Sequence, residues 1–180
     1  MADPGLDVPF LTTRELFVLK LDDWPALAQR YLGLGAAGRL ALLAGTVDHD
    51  PLNAADLSPW TAPRDVGSIE WFASPTDICH VFASLATLAR QPGLAPLAGI
   101  LERNAGGMSL DPSRWQPVWF KGGSEPGVLT LSYLATTRTG QAYVASVLAE
   151  NPSAPLAQNS AIPTLITAVK GALQLAAGRG

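Results

Sequence analysis

The sequence predicts an α+β fold, and three observations lead there. Apolar residues recur at helical spacing through the first 110 positions. After Asp111 the period shortens from about 3.6 to 2, and a helical stripe returns at about 160 to 176. The expected order is a helical N-terminal part, then a three-stranded antiparallel meander packed with a C-terminal helix. Residues 1–110 make the helical segment, with a long loop at 45–68, and residues 111–180 the sheet and last helix. A chain of 180 residues, 48% apolar and 15% charged, is long enough for one compact unit.

Each element has its own signal. "LTTRELFVLKL" opens on Thr12 with Glu15 three residues on, a capping box, and Leu16, Leu19 and Lys20 follow at helical spacing. "WPALAQRYLG" reads as a second helix stopped by Gly33, and "AAGRLALLAG" as a third. Prolines and glycines interrupt residues 45–68, so a long irregular loop is expected there. "SPTDICHVFASLATLAR" is the clearest helix: Ser74 caps it, Pro75 suits its first position and Asp77 its positive end. Ile78, Val81, Phe82, Leu85 and Leu88 predict its buried stripe. "LAPLAGILERN" follows as a shorter helix. "RWQPVWF", "GVLTLSYLATT" and "QAYVASVLAEN" read as strands, the last two joined by a turn at 138–140. Leu129, Leu131 and Tyr133 would face one way, with Val128, Ser132 and Leu134 facing the other. Both faces are apolar, which predicts cover on both sides. The last helix repeats Ile162, Leu165, Ile166, Val169 and Leu173, a stripe suited to lie on the sheet.

Composition narrows the function classes. The net charge is −3 and the twelve Lys and Arg are scattered, which gives no footprint for nucleic acid. The single cysteine, Cys79, excludes an internal disulfide and a multi-cysteine metal site. No apolar run approaches the roughly 20 residues of a membrane span, so no membrane partner is expected. "MADPGLDVPF" lacks a secretory pattern, so as written the chain is expected to remain cytoplasmic.

Several motifs have plain structural explanations. "GLGAAG" at 33–38 matches the dinucleotide fingerprint literally, but helical sequence precedes it and Asp56 lies in the loop, so a helix stop followed by a helix start explains it better. No cofactor is expected. Cys79 and His80 are adjacent on a helix, so their side chains diverge and cannot pair. "DHDPLN" at 48–53 offers Asp48, His49 and Asp50 as a base or a ligand pair, against the simpler reading of a polar turn; two histidines cannot close a zinc site. There is no G-x-S-x-G and no H-E-x-x-H.

The candidate that remains is Lys121-Gly122-Gly123-Ser124. Two glycines strip side chains from the backbone where a carbonyl could approach, Lys121 supplies a cation, and Ser124 adds a hydroxyl and a backbone donor. Such a group is suited to hold a carboxylate and stabilise an oxyanion.

The segment "WFKGGSEPGVLTLSYLATTRTGQAYVASVLAENP", followed by "IPTLITAVKGALQLA", resembles the C-terminal half of class A β-lactamase-like serine hydrolases, the penicillin-recognising family. That family places a Lys-Thr/Ser-Gly triplet on the strand lining its active site, followed by two more strands and a long helix. "FASPTDICHVFASLATL" is similar to the family's helix after the omega loop, and "PLN" at 51–53 to the end of that loop's Glu-x-x-Leu-Asn. Here the glutamate is absent and only Asp50 is nearby.

The resemblance implies that Lys121 is the triplet lysine, Gly123 its glycine, and Ser124 the residue whose N–H forms half of the oxyanion hole. Gly122 stands where the family has a hydroxyl residue. None of the eleven serines is followed three residues later by lysine, and there is no Ser-Asp-Asn, so the family's acyl-accepting serine is absent. The resemblance therefore implies part of an enzyme, with a small-molecule ester, amide or β-lactam substrate. The family's N-terminal strands would pair beside 141–150, so without them that strand would be an open edge whose face lacks a covering helix. Such an edge recruits a second copy or a complementing N-terminal fragment. The family is often exported. The rival expectation is a non-catalytic interaction protein that binds a partner strand at 141–150.

Overall fold

The computed structural model describes residues 8–51 and 60–178. Its elements are α1 (Thr13–Leu21), α2 (Ala26–Leu32), α3 (Ala36–Gly45), a 3-10 turn (Val47–His49), α4 (Pro75–Leu88), α5 (Pro96–Glu102), β1 (Trp119–Glu125), β2 (Val128–Thr136), β3 (Ala142–Glu150) and α6 (Gln158–Ala177). The arrangement is α+β, as expected, with α6 packed on the strands.

The helix ends follow from the capping chemistry. The Thr12 hydroxyl accepts from the Glu15 N–H, and the Glu15 carboxylate accepts from the Thr12 N–H. Ser74 and Asp77 make the same reciprocal pair at the start of α4, with Pro75 at the first helical position. Those bonds to Ser74 hold the Asp77 carboxyl below the usual carboxylate range. Gly33 ends α2 and Gly35 caps α3, so the "GLGAAG" glycines are a helix stop and start, with no strand before them.

α1, α2 and α3 share one core, made by Leu16, Val18, Leu19, Leu27, Tyr31, Leu42 and Val47, and Ile69 from the following segment closes it. The sheet runs β1-β2-β3, all antiparallel. Its two faces pack separately. Leu129, Leu131 and Tyr133 lie with Val169 and Leu173 of α6, while Trp119 and Leu134 lie with Phe82 of α4. The two-sided cover expected from the apolar alternation is present. Each fully buried side chain of this size contributes about 1.5–3 kcal/mol.

Five expectations are corrected. "RWQPVWF" is not one strand: Trp115 folds into a turn on Asp111 and makes an isolated bridge to Thr137, and the strand begins at Trp119. Pro117, with no N–H to give a ladder, sits in the break. The strand instead continues through Lys121, Gly122 and Gly123 to Glu125, so the glycines are inside β1 and the bend falls at Pro126–Gly127. Among the predicted α4 stripe only Phe82 is buried; Val81 and Leu88 are exposed, because α4 meets the sheet along a narrower line than its sequence stripe. β3 does not lack a covering helix: α4 and α6 both pack on it. Finally, α6 is long and apolar enough to cross a membrane by length and composition, where no such run was expected. In this fold its Val169 and Leu173 lie buried against the sheet. Of the loop expected at 45–68, Gly45 ends α3 and the other described residues are irregular apart from the 3-10 turn; residues 52–59 lie outside the described residues.

Candidate functional site

β1 is an edge strand, and its alternation decides what each residue of the candidate motif faces. Trp119, Lys121, Gly123 and Glu125 share the face toward α4, while Phe120, Gly122 and Ser124 share the face toward α6. The register sets Lys121 opposite Ser132 and Ser132 opposite Ser146, giving one row of polar side chains across three strands. The Ser132 and Ser146 hydroxyls are hydrogen-bonded at 2.7 Å, and Ser132 is buried. Thr130 lies opposite Gly123 in the next row.

Above this row is a cavity of about 620 Å³. Its sheet side includes Lys121, Gly123, Thr130 and Ser132. Ile78, Val81, Phe82 and Leu85 of α4 form the opposite wall, and Leu16, Phe17, Trp60 and Trp71 close it from the N-terminal side. A volume of this order, largely apolar with a few convergent polar groups, is typical of small-molecule sites. Lys121 is exposed at this cavity; its ammonium donates to the Gly122 carbonyl, and it has no carboxylate partner among the described residues. Ser124 lines this cavity and also a second one of about 530 Å³, bounded by Pro126, Leu156 and Gln158.

The two glycines of the motif have different jobs. A Cβ on Gly123 would meet nothing closer than the Thr130 hydroxyl at 3.4 Å, so that position is open toward the cavity. A Cβ on Gly122 would lie 2.6 Å from Phe120 Cζ and 3.0 Å from the Thr130 carbonyl oxygen. The Phe120 ring also fills the place where a Gly106 side chain would be, and it stacks on Tyr133 at 5.0 Å between centroids. Gly122 is therefore a slot for an aromatic ring.

Asp50 is not brought to this place. It follows the 3-10 turn, its backbone carbonyl accepts from Arg14, and it lines neither cavity. Leu52 and Asn53 of the similar "PLN" lie outside the described residues. Cys79 is half-buried and His80 exposed on α4, and neither lines these two cavities. No group of three or more metal-binding side chains occurs among the described residues.

A cluster not anticipated from the motifs stands at the same cavity. The fully buried Lys20 ammonium donates to Glu70 and to Glu125 Oε1, the latter at 2.7 Å, and sits 5.6 Å from the Trp60 ring centroid. Two carboxyls share one cation. Burial and a hydrogen bond to Glu70 push the Glu125 carboxyl up to about 8, against the opposing pull of Lys20. The Trp60 indole N–H is buried without a hydrogen-bond partner among the described residues. The sequence did hold a signal: Lys20 falls on the same helical spacing as Leu16 and Leu19, and a charge on an apolar stripe calls for a buried partner. Nothing local pointed to Glu125, 105 residues away.

No protein-family model matches the chain, and no curated protein matches it.

Proposed function

We propose that the chain carries the wall and oxyanion side of an acyl-serine hydrolase site of the penicillin-recognising type, without the attacking serine. One observation supports this best: Lys121 and Gly123 line the same cavity from one face of β1, above a hydroxyl row of Ser132 and Ser146. Lys121 would hold a substrate carboxylate, Gly123 would leave room for the reacting carbonyl, and the backbone N–H of Ser124 would donate to the developing oxyanion. Asp50 has no part in this reading. Gly122 departs from the family triplet for the packing reason given above, so the ligand's carboxylate would lack one hydroxyl contact.

The test is exposure of the protein to a fluorescent β-lactam and a fluorophosphonate. The expected result is reversible, saturable β-lactam binding with no covalent label. Lys121→Met should weaken that binding about tenfold or more, the size expected for a lost charge-assisted bond. Covalent labelling would show that the chain has a nucleophile, and no binding at all would remove the acyl-site reading. Co-expression with a polypeptide carrying Ser-x-x-Lys should produce labelling of that second chain.

A second reading rests on β3. It pairs only with β2 among the described residues, and its nine residues carry a single charge, Glu150. Edges of that kind, with no proline or lysine to block them, accept another strand. Under this reading the protein is an interaction module, as a homo-oligomer or with a complementing strand. Light scattering after size exclusion separates the readings, since a stable monomer over the micromolar range argues against self-pairing.

A further inference from the structure

The apolar cores of the N-terminal helices and of the sheet are separate, and the large cavity is lined by residues from both. Lys20 and Glu70 belong to the N-terminal side. Lys20 is on α1, and Glu70 follows Ile69, which is part of the α1–α3 core. That side is tied together internally: Arg64 donates to the Lys20 carbonyl at 2.6 Å, and the Trp71 indole donates to the Leu11 carbonyl at 2.7 Å. Glu125 is the member contributed by the sheet. It ends β1, just before the turn in which Gly127 approaches Pro63.

We infer that Lys20, Glu70 and Glu125 form a pH-sensitive clasp that holds the N-terminal helices against the sheet and sets how open the cavity between them is. With one proton on the pair of carboxyls, the cluster holds one cation and one anion, and the protonated acid gives its hydrogen to the other carboxyl. Loss of that proton leaves two carboxylates facing one ammonium, removes the acid–acid hydrogen bond and sets like charges together in a poorly solvated place. The sheet side can relieve this only by moving Glu125 toward water, which separates β1 from α1 and the Glu70 segment.

The groups around Glu125 bear this out. Lys20 faces it from α1 and Glu70 from the preceding segment. Lys121 shares its face of β1, and Glu150 lies on the same row through Val128. The cavity-lining residues of α4, Ile78, Val81, Phe82 and Leu85, have no titratable group. Among the described residues the only cation in contact with the two acids is therefore Lys20, already used by both. The clasp stands apart from the acyl-site reading, since none of its three residues has a role there.

The experiment is methyl-detected NMR of the full chain from pH 6 to 9.5. Methyls of Leu16, Ile78 and Leu85, which line the cavity, should shift together with one midpoint near 8, while those of Leu42 and Leu43 in the α3 core stay constant. Binding of an apolar dye should rise through the same midpoint as the cavity opens. Glu125→Gln, which keeps the shape and fixes the neutral state, should abolish both changes. Glu70→Gln leaves one acid paired with Lys20, removes the hydrogen bond and like charge that add to the effect of burial, and should lower the midpoint. If the cavity methyls stay flat, or if they titrate unchanged in either variant, the clasp is refuted.

Discussion

Gly122→Ser puts a hydroxyl residue into the Lys-x-Gly triplet, and the packing says the protein will resist it. The new Cβ would stand 2.6 Å from Phe120 Cζ and 3.0 Å from the Thr130 carbonyl oxygen, and the second of these is backbone. The Phe120 ring cannot retreat freely, because Gly106 leaves its other berth and Tyr133 stacks on it at 5.0 Å. Overpacking of this kind costs about 1–3 kcal/mol. In a chain of this size each kcal/mol lowers Tm by about 2–4 °C. Urea and thermal unfolding of the wild type, Gly122→Ser, Phe120→Leu and the double variant would measure both the cost and the coupling. The double variant should lose less than the sum of the singles, with an interaction of about 0.5–3 kcal/mol. If Gly122→Ser melts with the wild type, or the two losses simply add, the glycine is not there for the ring.

Four further outcomes follow from the caps, the buried cluster and the exposed Lys121. Glu125 has a folded value of about 8 against an ordinary 4.5, so the folded state binds the extra proton between them and stability falls as pH rises through that window. Glu125→Gln should flatten this part of the curve, by a few kcal/mol between pH 5 and 8, in urea titrations at fixed pH. Lys20→Met leaves both carboxyls buried without their cation and should cost about 3–5 kcal/mol at pH 7, much of it recovered by adding Glu125→Gln. Ser74→Ala removes the cap of α4 and should cost about 0.5–2 kcal/mol in the same assay. Lys121→Met, on an exposed side chain without an ion pair, should stay within about 0.5 kcal/mol of the wild type.

Much of the fold was legible because its signals are local. A Ser or Thr hydroxyl reaches an N–H three residues away, so Thr12 and Ser74 mark their helices without help from the rest of the chain. Alternation along β2 likewise separated Leu129, Leu131 and Tyr133 from Leu134, since a strand has only two faces. The start of β1 was missed because "RWQPVWF" is apolar throughout, and periodicity cannot tell a strand from a packed turn in so short a run. Of the candidate residues, Lys121 and Gly123 line a cavity, the adjacent Gly122 packs against Phe120, and Asp50 lies elsewhere; which of them share a place depended on strand register, which no local pattern carries.

Amino-acid order alone determined the α+β class, the helix starts, the facing of β2 and the absence of a Ser-x-x-Lys nucleophile, because each depends on residues a few positions apart. Tertiary structure decided which glycine packs against an aromatic ring, and it brought Lys20, Glu70 and Glu125 into one buried cluster. Those outcomes depend on the register of β1 against β2 and on how the N-terminal helices meet the sheet. Contacts between distant segments are set by packing a whole core, and no short stretch of chain contains that information.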